Sequence, residues 1–174
     1  HNRDLKTAKR LIEVAKEAGC NAAKFQSYTA DGIYSKYTPR ISEMEGRSKK
    51  GETPYELIKR IEMPVEWHAK LKEHCDKIGI TFCSTPFDEL MVDVLESIGT
   101  PFYKVSSYEI THYPMLKKIA RTGKPVVLST GNSDLDDIKL AVATIKKNGC
   151  RSPTSKRQVL PNKFSFKAGL QKDG

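Results

Sequence analysis

Long apolar runs are missing from this chain. Nothing approaches the ~20 consecutive apolar residues that a membrane-spanning helix needs, and no secretory segment opens it. Cysteine is scarce and unpatterned. Cys20, Cys75, Cys83 and Cys150 form no C-x-x-C pair and no zinc-type spacing, so they read as free thiols of a reducing compartment, which predicts a cytoplasmic protein. Neither G-x-G-x-x-G nor G-x-x-x-x-G-K-[ST] occurs, which lowers a nucleotide-binding reading. Aromatic residues are few, at 8%, and do not interleave with the basic runs, so a nucleic-acid surface lacks its usual signature. An initial methionine is lacking too: the chain opens at His1-Asn2, as expected of a fragment of a longer protein.

What is present is enough for one domain with one sizeable core. The 174 residues are 38% hydrophobic and 29% charged, with a net charge of +9. That charge is uneven. Residues 151–174 hold six Lys or Arg against one Asp, a solvated or linker-like tail that supplies +5 of the +9.

Along the chain, one pattern repeats: helix, glycine, short strand. Asp4 is placed to cap a helix whose stripe is Leu5, Ala8, Leu11, Ile12 and Ala15, stopped by Gly19. The strand Ala22–Gln26 follows. Residues 27–53 lack periodicity and read as a functional or mobile loop. Thr53-Pro54 starts a short helix, and Pro64 a second that ends at Gly79. The strand from Ile80 runs into Ser84-Thr85-Pro86-Phe87-Asp88, with Asp88 capping the next helix. Phe102–Val105, a helix from Pro114 and the strand Pro125–Leu128 complete the run. A last helix is expected to start with a capping box of Ser133 and Asp136 and to close at Gly149.

Short apolar strands, each followed by a helix, pair in parallel. A doubly wound sheet and a (β/α)₈ barrel both fit that alternation. Polar residues favour the barrel. An open sheet gathers them at one switch point, whereas here every strand exit carries some: Lys24 and Gln26; Ser84, Thr85 and Asp88; Lys104, Ser107 and Glu109; Ser129, Thr130 and Asn132. The expected fold is α/β, a partial (β/α)₈ TIM barrel comprising about strands 2–5 and incomplete at both termini. Its barrel domain is residues 1–149, and residues 150–174 are the basic tail.

Two lysines among hydroxyl groups at a barrel mouth suit a small ligand that carries phosphate and carboxylate. Glu109 is the natural proton handler, because partial burial raises a carboxyl toward working pH. Two strand lysines equally suit a Schiff-base aldolase, and that alternative stays open on the residues alone. So does a non-catalytic fragment that binds a sugar phosphate or another small acid bearing a phosphate. The histidines form no metal set: His68 and His74 are spaced i, i+6, and surface or capping roles are expected for all but His1, which falls near the mouth.

Five ordered stretches resemble one family: His1-Asn2-x-Asp4, Lys24-Phe25-Gln26, Phe82-x-Ser84-Thr85-Pro86-Phe87-Asp88, Tyr103-Lys104-Val105-x-Ser107-x-Glu109 and Leu128-Ser129-Thr130-Gly131. Over about residues 1–149 the chain resembles the N-acetylneuraminate (sialic acid) synthases and their legionaminic and pseudaminic acid relatives. The resemblance implies condensation of phosphoenolpyruvate with an N-acetylated amino sugar, similar to N-acetylmannosamine, to give a nonulosonic acid and phosphate. It implies a divalent metal, Mn²⁺ or Mg²⁺, and a homodimer in the full-length protein. Carried over by motif, Lys104 and Glu109 are the catalytic residues. Lys24, Gln26, Thr85, Phe87, Ser107 and Ser129 bind substrate. No metal ligand is expected in this chain, since the family's histidine ligands lie on later strands, and the chain alone is expected to be inactive. Arg3 stands where the family usually has glycine. Residues 164–174 are loosely similar to the start of the family's C-terminal antifreeze-like (SAF) domain, which makes the tail a linker into it.

Overall fold

The computed structural model describes residues 1–40, 49, 51–149 and 159–161. Five parallel strands form one sheet in the order β1-β2-β3-β4-β5. They are β1 (Ala22–Ser27), β2 (Thr81–Pro86), β3 (Tyr103–Val105), β4 (Val126–Leu128) and β5 (Val159–Pro161). The helices are α1 (Leu5–Glu17), α2 (Ala30–Ile33), α3 (Pro54–Ile61), α4 (Trp67–Ile78), α5 (Glu89–Ser97), α6 (Tyr113–Arg121) and α7 (Leu135–Gly149). Each strand lies beside the next in sequence, without the reversal that a doubly wound sheet requires. That order is the wall of a (β/α)₈ barrel, and the described residues supply five of its strands.

The helices cover one face of the sheet, and strand alternation decides what they bury. Ala23, Phe82, Tyr103, Val105, Val126 and Leu128 join Ile12 of α1, Leu71 of α4, Leu95 of α5, Ile119 of α6 and Ile145 of α7 in one core. Half-buried Phe25 stacks on Phe82 with ring centroids 5.7 Å apart. The alternate residues Lys24 and Gln26 stand exposed on the other, inner face. Tyr103 backs β3 against α5, donating its hydroxyl to Glu96 at 2.7 Å, and Lys124 reaches the same carboxylate at 2.6 Å.

Local signals account for most helix ends. The Asp4 carboxylate accepts from Thr7 N at 2.8 Å, and Asp88 accepts from Met91 N at 2.7 Å. Thr53 and Glu56 form a reciprocal capping box on α3. At Gly79 the chain leaves α4 at φ 72, a left-handed turn that glycine makes without steric cost.

Four expectations are corrected here. The cap of α7 is Asp134, whose carboxylate accepts from Asp136 N and Asp137 N; Ser133 Oγ instead donates to Ser107 O at 3.1 Å. Helix α7 begins at Leu135, so Asp134 and not Ser133 stands at the N-cap position, within reach of the first free N–H groups. The helix expected from Pro64 starts at Trp67, since residues 64–66 form a turn. The aperiodic loop contains one helical turn, α2, capped by Thr29. Four strands were expected and a fifth is present: β5 pairs with β4 in register Val126↔Val159, within the stretch read as tail. Its three residues are too short to show periodicity, and basic residues precede them. The SAF-like stretch lies outside the described residues.

Gly32 lies against the Asp88 cap, and a Cβ there would collide with the Asp88 carboxylate. Gly32→Ala is expected to displace that carboxylate from Met91 N and to cost about 1 kcal/mol, the cap's usual worth. Asp88→Ala should cost about the same. The losses should not add in the double variant, because both remove one interaction, and urea unfolding of all three checks this.

Candidate active site

The inner face is built by the residues that alternate with the core. Register places Lys24 beside Cys83 and Gln26 beside Thr85 across β1 and β2, and Lys104 beside Val127 across β3 and β4. Lys104 is half-buried. Its ammonium donates to Ser129 Oγ at 2.5 Å and to Val105 O at 2.7 Å, so two of its three donors are engaged at the strand's C-terminal end. Burial, and then the positive charge of Lys24, push its pKa down to about 8, with Cys83 opposing. Burial pushes the Cys83 thiol up to about 11, against both lysines, so it is neutral at pH 7. Lys24 and Lys104 are thus within electrostatic reach of each other, a repulsion that a bound anion would relieve.

Beyond β3 the chain turns through Ser106, Ser107 and Glu109. Glu109 N donates to Ser106 O at 3.1 Å, and His112 N donates to Glu109 O at 3.0 Å. The Glu109 carboxyl is half-buried, and burial raises its pKa, with His112 opposing. Ser107 O receives the Ser133 hydroxyl, which ties the turn after β3 to the one after β4. At the β1–β2 mouth, Phe87 meets Tyr28 edge to face at 5.5 Å, and Phe87 N donates to Ser27 O at 3.1 Å. Thr85 is buried, whereas Lys24 and Gln26 face an open groove of about 510 Å³ beside β1 that His1, Ile12 and Met63 also line.

Thus Lys24, Gln26, Thr85 and Lys104 share one sheet face, Ser129 is bonded to Lys104, and Ser107, Glu109 and Phe87 lie on the turns at the same strand ends. Ser84, read from sequence as a mouth hydroxyl, is elsewhere. It points into the helix layer and bonds Ser27 Oγ at 2.6 Å, and Ser27 Oγ lies 2.7 Å from His68 Nε2. Strand alternation carried that signal, because Ser84 and Thr85 must face opposite ways. His68 is buried, which corrects the expected surface or capping role. His112 does cap α6, accepting from Met115 N at 3.2 Å. Asn2 and Arg3 take φ of 47 and 53, the left-handed region that glycine occupies most easily, and Arg3 donates to Lys59 O at 3.0 Å.

The NeuB family matches residues 11–154. The chain belongs to the NeuB family. It is 44% identical over 151 residues to the uncharacterized protein MJ1065 of Methanocaldococcus jannaschii, covering 87% of this chain and 41% of that one. It is 38% identical over 146 residues to an N,N'-diacetyllegionaminic acid synthase of Legionella pneumophila, covering 84% and 41%. Among solved structures, the N-acetylneuraminic acid (sialic acid) synthetase of Leptospira borgpetersenii, in complex with citrate, superposes with a TM-score of 0.70 at 32% identity, covering 85% of this chain and 47% of that one. This NeuB chain thus spans about two-fifths of the length of the curated relatives it matches.

Among the described residues, no three His, Cys, Asp or Glu side chains cluster so as to hold a metal. All four histidines of the NeuB chain are described: His1 packs against Trp67, His68 bonds Ser27, His74 Nε2 lies 3.2 Å from Glu13 without forming a hydrogen bond, and His112 caps α6. The described residues therefore bring together no donor set for the divalent metal that the resemblance implies. Nor is any helix of the described residues long and apolar enough to cross a membrane.

The lowered pKa of Lys104 has a signed consequence. Between about pH 8 and the ordinary lysine value near 10.5, the unfolded chain holds a proton that the folded chain has lost. Stability therefore rises with pH across that window. The unaltered chain is expected to gain on the order of 1 kcal/mol relative to Lys104→Met between pH 7.5 and 10.5, after discounting for partial exposure. Urea midpoints of both proteins across that range check it.

Proposed function

We propose that this chain carries the phosphoenolpyruvate site of a nonulosonic acid synthase. Such an enzyme condenses phosphoenolpyruvate with an N-acetylated amino sugar and releases phosphate. The observation that carries the reading is Lys104, held at the exit of β3 by Ser129 and repelled by Lys24 on a face with exposed Gln26. Family membership and the synthase names of its relatives support it.

In the proposed reaction C3 of phosphoenolpyruvate forms the new bond to the sugar's carbonyl carbon, whose oxygen gains a proton. Water adds at C2 and gives up one proton; the C2–O bond to phosphate then breaks as the new C2 hydroxyl becomes the keto group and its proton goes to the departing phosphate. Lys104 and Lys24 hold the phosphate and carboxylate of the substrate, with hydroxyl donors from Ser107, Ser129 and Thr85. Glu109, its pKa raised by burial, takes the proton from the attacking water. Phe87 walls the site beside Tyr28, and Gln26 orients the bound group from β1. The divalent metal is part of this proposal through the family alone, and no step above is routed through it.

One observation favours a second reading. A lysine lowered to about pKa 8 beside another cation has the character of a Schiff-base nucleophile. Borohydride reduction with pyruvate separates the two: a covalent adduct on Lys104 or Lys24 would establish the aldolase and overturn the synthase.

Calorimetric titration tests the synthase reading directly. The 174-residue chain is expected to bind phosphoenolpyruvate, with Lys104→Ala weakening it about tenfold or more, the worth of one charge-assisted pair. Affinity should also fall above about pH 8 as Lys104 loses its proton. No binding by the unaltered chain overturns the reading. With N-acetylmannosamine and Mn²⁺ added, the chain by itself is expected to release no phosphate; turnover abolished by Glu109→Gln would refute that expectation.

A further inference from the structure

A buried polar chain runs beneath the inner face without touching it. Ser27, Ser84 and His68 are all at most 1% exposed. His68 Nδ1 lies 2.8 Å from Val65 O. A carbonyl only accepts, so Nδ1 carries the ring proton and Nε2 is left as an acceptor. Ser27 therefore donates its hydroxyl to Nε2, and Ser84 donates to Ser27. The bonds run one way, from β2 through β1 to α4.

The chain sits at the end of the backbone ladder. The β1–β2 register closes at Ser27↔Pro86. Its last rung is Phe87 N donating to Ser27 O, and beyond it side chains alone hold the two strand ends together. Directly beside the two serines in sequence are Gln26 and Thr85, paired across the strands and turned to the opposite face. Fixing Ser27 to Ser84 on the helix side thus fixes Gln26 against Thr85 on the ligand side. An apolar trio would fill the same space without the cost of desolvating an imidazole and two hydroxyls. What the polar chain adds is a single geometry.

We infer that His68 is a positioning residue: through Ser27 and Ser84 it sets Gln26 and Thr85, at the ends of β1 and β2, in the arrangement that receives the anionic substrate. The inference rests on the proposed phosphoenolpyruvate site. Burial supports it by lowering the His68 pKa, which keeps Nε2 free to accept near neutral pH, with Glu66 opposing. A proton on Nε2 would remove the acceptor that Ser27 needs.

The test measures phosphoenolpyruvate affinity by calorimetry, and amide exchange at Gln26 and Thr85, in the 174-residue chain. His68→Leu is expected to weaken binding about fivefold or more, on the scale of one buried hydrogen bond, and to speed exchange at both amides. His68→Gln, whose amide oxygen can stand where Nε2 stood, should restore affinity to within about twofold of the original. Ile145→Val, a core change in α7, should leave affinity unchanged although it lowers stability. If His68→Leu does not fold, Ser84→Ala breaks one bond of the chain and should move the same two readouts. Binding and exchange unaltered in the variant that folds would overturn the inference. Should the unaltered chain bind no phosphoenolpyruvate, the proposed function falls by itself, and amide exchange then decides whether the tether exists.

Discussion

A parallel sheet wound in one direction has two unlike faces, and everything in this chain follows from that asymmetry. Crossover helices return along the same side each time, so alternate residues of every strand meet either helix or barrel interior. Ala23, Phe82, Tyr103 and Leu128 take the helix side and make the core. Lys24, Gln26, Cys83, Thr85 and Lys104 take the other by default. The site needs no separate scaffold, because it is the reverse of the core.

That same rule explains what was legible from sequence. Helix–glycine–strand repeats located β1 to β4 and their helices, since apolar stripes and glycine stops are local signals. The positions of Lys104, Ser129 and Glu109 at strand exits were legible because a charged or hydroxyl residue after a short apolar run marks where a buried strand ends. Ser84 was misplaced for want of a strict count of alternation against Thr85. His68 was passed over for a different reason: its partner Ser27 is 41 residues away, and no spacing rule joins them. β5 escaped notice because three residues carry no period, so only its neighbour β4 identifies it. Asp134 and not Ser133 caps α7 because the helix starts one residue later than the capping-box pattern implies, and helix ends are the least local of these signals.

The electrostatics of the site are tuned by what surrounds it. Behind β3, Glu96 holds Tyr103 and Lys124 together, a carboxylate spent on the helix side of the sheet. In front, Lys104 is given hydroxyl and carbonyl oxygens. Neutral acceptors orient an ammonium without cancelling its charge, whereas a carboxylate partner would do both. Lys104 accordingly stays a cation below about pH 8 while its direction is already fixed.

Cys83, the small neutral side chain between the two lysines, adds a kinetic dimension. A buried thiol that is not ionised at neutral pH offers no countercharge, and among the described residues no carboxylate forms an ion pair with Lys24 or Lys104. On the proposed function, such a pocket would select anions by charge without telling one compact dianion of suitable size from another. On the proposed reaction, the departing phosphate is itself such a dianion. Ambient sulfate or phosphate would then compete with the incoming substrate, and the product itself would slow its own formation as it accumulates.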